Sequence, residues 1–174
     1  HWLDEIALAP SAITRYAAIS ATLTKREGYF PAGVEVAVAH PPPHRVRKPG
    51  ERQDHFYTVS RLDGPKRVAL IVEAMRRVKT DLPLLVGGTG PEEPRLRELA
   101  AGDPRIRFTG FESDAQVDER YRNALAVPFV PWQEDYGFIA VEAMQCGKPV
   151  ITTADSGGPC ELVEDGVNGF VCAD

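Results

Sequence analysis

From Phe56 onward, unbroken apolar runs alternate along the chain with stretches whose apolar residues recur every three or four positions. Unbroken runs predict strands buried on both faces, and the spaced pattern predicts helices. Strands are expected at Phe56–Ser60, Leu82–Val86, Ile106–Thr109, Leu125–Val130, Val150–Thr153 and Gly169–Cys172. Helices are expected over Lys66–Lys79, Glu92–Ala101, Asp114–Ala124, Gly137–Cys146 and Pro159–Glu164. In the first of these, Val68, Ile71, Val72, Met75 and Val78 share one face. Ser113 is placed to cap the third, with Val117, Tyr121 and Ala124 turned inward. Pro128 marks the strand around it as irregular or as a sheet edge, because proline cannot donate to a ladder. Alternating strand and helix predict an α/β fold: a Rossmann-like parallel sheet with helices on both faces.

The first 40 residues read as a strand at Ile6–Ala9, a helix over Ser11–Arg26 and a strand at Val34–Ala39. His40–Gln53 then breaks the pattern. Its prolines exclude helix, and its repeated basic residues favour solvent, so it reads as a linker or domain boundary. His44, Arg45, Arg47 and Lys48 are expected on a solvated linker face.

Composition narrows the function classes. The 174 residues are 43% hydrophobic and 26% charged, with a net charge of −5. This is a globular composition, and the acidic balance argues against a nucleic-acid partner. The three cysteines lack metal or disulfide spacing and read as free thiols of a reducing cytosol. The four histidines form no metal motif, so no metal site is assigned. No signal peptide and no apolar run of the ~18 residues of a membrane span is present, so a cytoplasmic location is expected. The chain begins at His1 rather than methionine, and further sequence is expected upstream.

The chemistry-bearing residues fall at the carboxyl ends of the predicted strands, where ligands sit in open parallel sheets. Arg61 and Lys66 flank a Gly-Pro turn after the first strand. A guanidinium fork and a mobile ammonium suit a diphosphate, although a solvated surface pair is the plainer reading of these two alone. Gly87–Gly90 lets a ligand approach the backbone closely, or is simply a tight turn. Glu134 and Glu142 bracket the start of an apolar helix that opens at Gly137. The free N–H groups of that helix start favour an anion. Glu142 within apolar surroundings requires either a ligand or an arginine partner, and the sequence weighs both equally. Glu134 fits a ligand contact or a simple helix-start charge. Trp132 lies close enough in sequence to line the same place.

Taken together, EDYGFIAVEAMQCGKPVI at 134–151, SRLDGPK at 60–66, VGGTGP at 86–91, RFTGF at 107–111 and SGGPCELVEDGVNGF at 156–170 resemble family-four retaining glycosyltransferases of the two-domain GT-B fold. The likeness covers residues 56–172. It implies that residues 51–174 are the donor-binding domain, shortened at its C-terminus, and that residues 1–50 are the end of the acceptor domain with the interdomain linker. It also implies roles: Glu142 on the ribose hydroxyls, Glu134 near the donor sugar, and Arg61 and Lys66 on the diphosphate. Backbone N–H groups of Gly137, Phe138 and Ile139 would meet the sugar and diphosphate, Gly88 would lie near the phosphates, and Gly110 and Phe111 near the base.

The implied reaction moves a sugar from a nucleotide-diphosphate sugar, such as a UDP- or GDP-sugar, to an acceptor with retention and without a cofactor or metal. Residues 123–128, NALAVP, depart from the family's common Ala-Asp pair at this point. Most of the acceptor-binding domain is absent, so the fragment alone is expected to turn over little. A non-catalytic nucleotide-binding or interaction module of the same fold is the alternative. A dinucleotide oxidoreductase is weaker, because no GxGxxG motif occurs.

Overall fold

A computed structural model of the chain describes residues 2–173; His1 and Asp174 lie outside them. Two compact units divide between Pro42 and Pro43, within the proline-rich segment.

The first unit contains α1 (Trp2–Ala7), β1 (Tyr16–Ala18), α2 (Ala21–Thr24) and β2 (Val36–Val38), with β1 and β2 paired in parallel. Here two expectations fail. The strand expected at Ile6–Ala9 begins as the last residues of α1, whose turns run on through Leu8 N–H to Asp4 O. The helix expected over Ser11–Arg26 splits into β1 and α2. Ser20 adopts an extended conformation and caps a fresh helix by accepting from the Leu23 N–H, so nothing upstream can continue into it. Tyr16 and Ala18 instead bury their side chains, and the Tyr16 hydroxyl donates to the Leu8 carbonyl at 2.6 Å.

The second unit is a six-stranded parallel sheet in the order β5-β4-β3-β6-β7-β8. Its elements are β3 (His55–Val59), a 3-10 turn at Gly64–Lys66, α3 (Val68–Met75), β4 (Leu84–Gly87), α4 (Glu93–Leu99), β5 (Ile106–Gly110), α5 (Asp114–Asn123), β6 (Ala124–Pro128), α6 (Phe138–Gln145), β7 (Val150–Thr153), α7 (Pro159–Leu162) and β8 (Gly169–Cys172). The α/β fold with helices on both faces is as expected. Alternate strand residues face opposite layers. Leu84 and Val86 pack with Val68, Ile71, Val72 and Leu96 under α3 and α4, whereas Tyr57 and Leu85 pack with Tyr121, Ala140 and Ala143 under α5 and α6.

Three local differences have identifiable causes. The helix expected to run from Lys66 to Lys79 is shorter, because Arg67 takes a left-handed conformation (φ 48°) and α3 starts after it. At the other end the Arg105 guanidinium donates to the carbonyls of Met75, Val78 and Thr80, which follow or end α3, and Val78 is exposed. Of the two expectations at Pro128, the edge fails, because β6 is interior, and the irregularity is present as a register shift in the β3–β6 pairing between His55 and Phe56. Val127 and Phe129 donate toward β7, and the β3 pairing runs only through His55 with Ala124 and Phe56 with Ala126, so no donor is required of Pro128. Ser113 caps α5 as expected, in a reciprocal capping box with Gln116.

Candidate functional site

Every strand from β3 to β7 runs its C-terminal end into the same edge of the sheet, and the loops there are knit by backbone bonds. Ser60 N–H donates to Gly87 O, Gly88 N–H to Gly110 O at 2.8 Å, and Leu62 N–H to Thr89 O. Gly88 must be glycine: its φ is 98°, and a Cβ would stand 1.9 Å from the Ser60 carbonyl oxygen. The close approach opens a cleft of about 350 Å³ lined by Ser60, Arg61, Gly88, Thr89, Phe111 and Glu112, with Val59 and Val117 behind. Three of the residues singled out from sequence, Arg61, Gly88 and Phe111, thus meet in one cleft, and Gly110 (φ 70°) turns the chain into it. Phe111 is 85% exposed, an apolar ring offered to solvent. The Arg61 side chain also reaches into solvent, with Asp63 3.4 Å away.

Glu112 was not apparent from the sequence. Its side chain is only 3% exposed at the cleft wall, where it accepts from the Tyr57 hydroxyl at 2.8 Å and from Arg120 Nε at 3.1 Å. Burial first, and then the neighbouring carboxylate, push the Tyr57 hydroxyl far above its ordinary range, so it is a fixed donor.

Lys66 and Glu134 come together as an ion pair between the loops after β3 and β6, both side chains about three-quarters buried. The Lys66 ammonium also lies 5.9 Å from the centre of the Phe129 ring. Gly137 precedes α6 at φ 91°, where a Cβ would meet Pro159 Cγ at 2.7 Å. Gly137, Phe138 and Ile139 carry the first N–H groups of α6, which precede the helix's own bonding pattern and mark its positive end.

Glu142 stands apart from these residues. Its Oε1 is 2.9 Å from Arg47 Nη2, and its Oε2 accepts from the Tyr121 hydroxyl at 3.2 Å. Of the two readings left open, the structure contains the arginine partner. That partner corrects another expectation: Arg47 is not on a solvated face but has a side chain only 7% exposed, paired also with Asp118 and lying 5.2 Å over the Tyr121 ring. Arg45 pairs with Asp114 at 2.5 Å while Val46 between them is 91% exposed. Arg45 and Arg47 thus each meet an acidic residue of α5, Asp114 and Asp118 respectively. The acidic residues of α5 were the available signal.

Trp132 is 56% exposed and stacks 5.5 Å from the Arg67 guanidinium. A second, apolar groove of about 380 Å³ runs beside α3 and over β6–β8, with Val130 and Thr153 in its lining. All three cysteines are free thiols.

A parallel sheet covered on both faces, with a glycine-tightened cleft and an ion pair at its carboxyl edge, defines the class as a Rossmann-like α/β unit. The chain belongs to the family of glycosyl transferases group 1, whose model matches residues 44–174. It is 36% identical over 128 residues to a D-inositol 3-phosphate glycosyltransferase of Geodermatophilus obscurus, covering 65% of this chain and 28% of that protein. It is 31% identical to the N-acetyl-alpha-D-glucosaminyl L-malate synthase of Bacillus anthracis, covering 62% of this chain and 29% of that one. The chain therefore spans less than a third of the length of these relatives. Among solved structures, Anabaena HepE in complex with UDP-glucose superposes with a TM-score of 0.62 at 27% identity, over 70% of this chain and 35% of that one. The lipopolysaccharide outer core galactosyltransferase WaaB superposes with a TM-score of 0.73 at 23% identity, over 94% of this chain and 49% of that one, a likeness of GT-B fold alone.

Proposed function

We propose that this chain is the nucleotide-sugar-binding part of a retaining glycosyltransferase. The observation that carries the reading is the Lys66–Glu134 ion pair at the same sheet edge as the cleft of Arg61, Gly88 and Phe111. In this reading the base lies against Phe111 and Gly110, and the diphosphate passes Gly88 toward Arg61, Lys66 and the N–H groups of Gly137–Ile139. Glu134 faces the donor sugar. Lys66 has three N–H donors, so it serves a phosphate oxygen while still bound to Glu134. Glu142 keeps capacity for ribose hydroxyls, because a carboxylate offers about four lone-pair sites and Arg47 and Tyr121 occupy two.

The bond between the anomeric carbon and the diphosphate oxygen breaks with its electron pair going to the diphosphate. Arg61 and Lys66 neutralise that developing charge, so catalysis is mainly positioning and preorganised electrostatics and needs no metal. The acceptor hydroxyl attacks the face from which the diphosphate departs. The relatives extend well beyond this chain, and we assign acceptor binding to the part of the enzyme outside it and the protein to the cytoplasm. No helix of the described residues is long and apolar enough to cross a membrane.

Ligand-observed NMR of the chain with UDP-, GDP- and ADP-glucose tests the reading. Binding of at least one, undiminished by EDTA and weakened by Lys66→Ala, is expected. No binding of any of the three would overturn it.

A further inference from the structure

The ion pair assigned to the donor site is held by something the family signature does not name. Among the described residues, two non-glycine residues have positive φ: Arg67 at 48° and Gln133 at 48°. Arg67 directly follows Lys66, and Gln133 directly precedes Glu134. Left-handed backbone is unfavourable for a residue with a Cβ, and it persists only where the surroundings impose it. Here it falls at the immediate neighbours of both members of the pair.

The surroundings that impose it converge on the Arg67 guanidinium. Its Nε donates to the Val130 carbonyl at 2.8 Å, and one terminal nitrogen donates to the Pro131 carbonyl at 2.9 Å and the Thr153 hydroxyl at 2.8 Å. The two terminal nitrogens grip both oxygens of Asp155, each at 2.6 Å. Trp132 covers the guanidinium, and its own backbone N–H donates to the Pro65 carbonyl at 2.7 Å. Asp155 in turn accepts from the Gln133 N–H through its carbonyl, and Glu134 N–H donates to Ser156 O at 2.8 Å. Three loops, after β3, β6 and β7, thus share one fork. A planar bidentate guanidinium is suited to this, since it fixes direction as well as charge.

We propose that the Arg67–Asp155 pair is the positioning device of the donor site: it sets the backbone on either side of the Lys66–Glu134 pair, so that the ammonium meets the diphosphate without reorganisation. The inference rests on the donor-site reading for its catalytic meaning, but the clamp has its own observable. Arg67→Gly removes the fork while leaving a residue that accepts φ 48° without strain, and Asp155→Asn removes the grip while leaving Arg67 in place.

Two measurements on the whole chain decide the matter. The first is hydrogen exchange of the Lys66 ammonium, followed by its 15N cross-peak without ligand. The second is the affinity for UDP, GDP and ADP against the matching monophosphates. Each single variant is expected to speed Lys66 exchange and to weaken diphosphate binding by about ten- to a hundredfold while monophosphate affinity holds, and the double variant is expected to be no worse than either single one. Unchanged Lys66 exchange in Arg67→Gly and Asp155→Asn overturns the clamp even if nucleotides bind. A wild-type chain that binds no diphosphate overturns the donor-site reading, while Lys66 exchange still decides the clamp. Should Arg67→Gly fail to fold, Asp155→Asn and its exchange rate carry the test.

Discussion

Arg47 Nη2 lies 2.9 Å from Glu142 Oε1, joining the segment before the sheet to the middle of α6. The guanidinium is almost wholly buried against Tyr121, and the pair has few alternatives in water. Removing Glu142 leaves both Arg47 and the buried Tyr121 hydroxyl short of a partner. Glu142→Ala should lower unfolding free energy by about 1–3 kcal/mol in urea titration. Glu142→Gln, which still accepts from Tyr121, should cost less. Equal losses for the two would mean that the charge on Arg47 matters more than the buried hydroxyl.

Lys66 carries the electrostatic part of the site. Lys66→Met keeps an unbranched side chain close to the length of the lysine stem and removes its charge. Diphosphate affinity should fall about ten- to a hundredfold, the worth of one or two charge-assisted hydrogen bonds, while the monophosphate loses less. Isothermal titration with both nucleotides measures the difference, and equal losses would count against a diphosphate contact.

Two glycines at the same edge should respond unequally to alanine. At Gly88 a methyl group collides with the Ser60 carbonyl as well as occupying a left-handed position, for about 2–4 kcal/mol of lost stability. At Gly110 the same substitution meets open space and pays only the backbone term, about 1–2 kcal/mol. Chemical denaturation of the two variants side by side checks the order.

Acid should weaken the clamp in a defined window. Hydrogen bonds from Arg67 hold the Asp155 carboxyl down at about 2. An unfolded aspartate titrates near ~3.9, so the folded state binds its proton less readily and the group stabilises the fold above about pH 4. That contribution is lost as pH falls from about 4 toward about 2. The stability gap between the wild type and Asp155→Asn should therefore close across that interval, read from urea midpoints. A gap independent of pH would show that Asp155 acts through shape alone.

Apolar periodicity by itself determined the strand–helix alternation from Phe56 on, because buried strands and one-sided helices leave opposite signatures in a linear string. Short motifs marked the sheet edge for a similar reason: turns that need glycine, and charges beside them, are local properties. Tertiary structure decided what local signals do not encode. The helix expected over Ser11–Arg26 went astray because a cap at Ser20 and parallel pairing outweighed helical spacing, whereas the strand expected at Ile6–Ala9 was taken up by the end of α1 and its following turn. Pro128 could sit inside the sheet because its neighbours ask no hydrogen bond of it, a matter of register. Arg47 looked solvated until α5 supplied acids, and Glu142 stayed undecided until Arg47 arrived beside it. Arg67 had no sequence signal at all, since its partners come from loops far along the chain and only folding brings them within reach of one guanidinium.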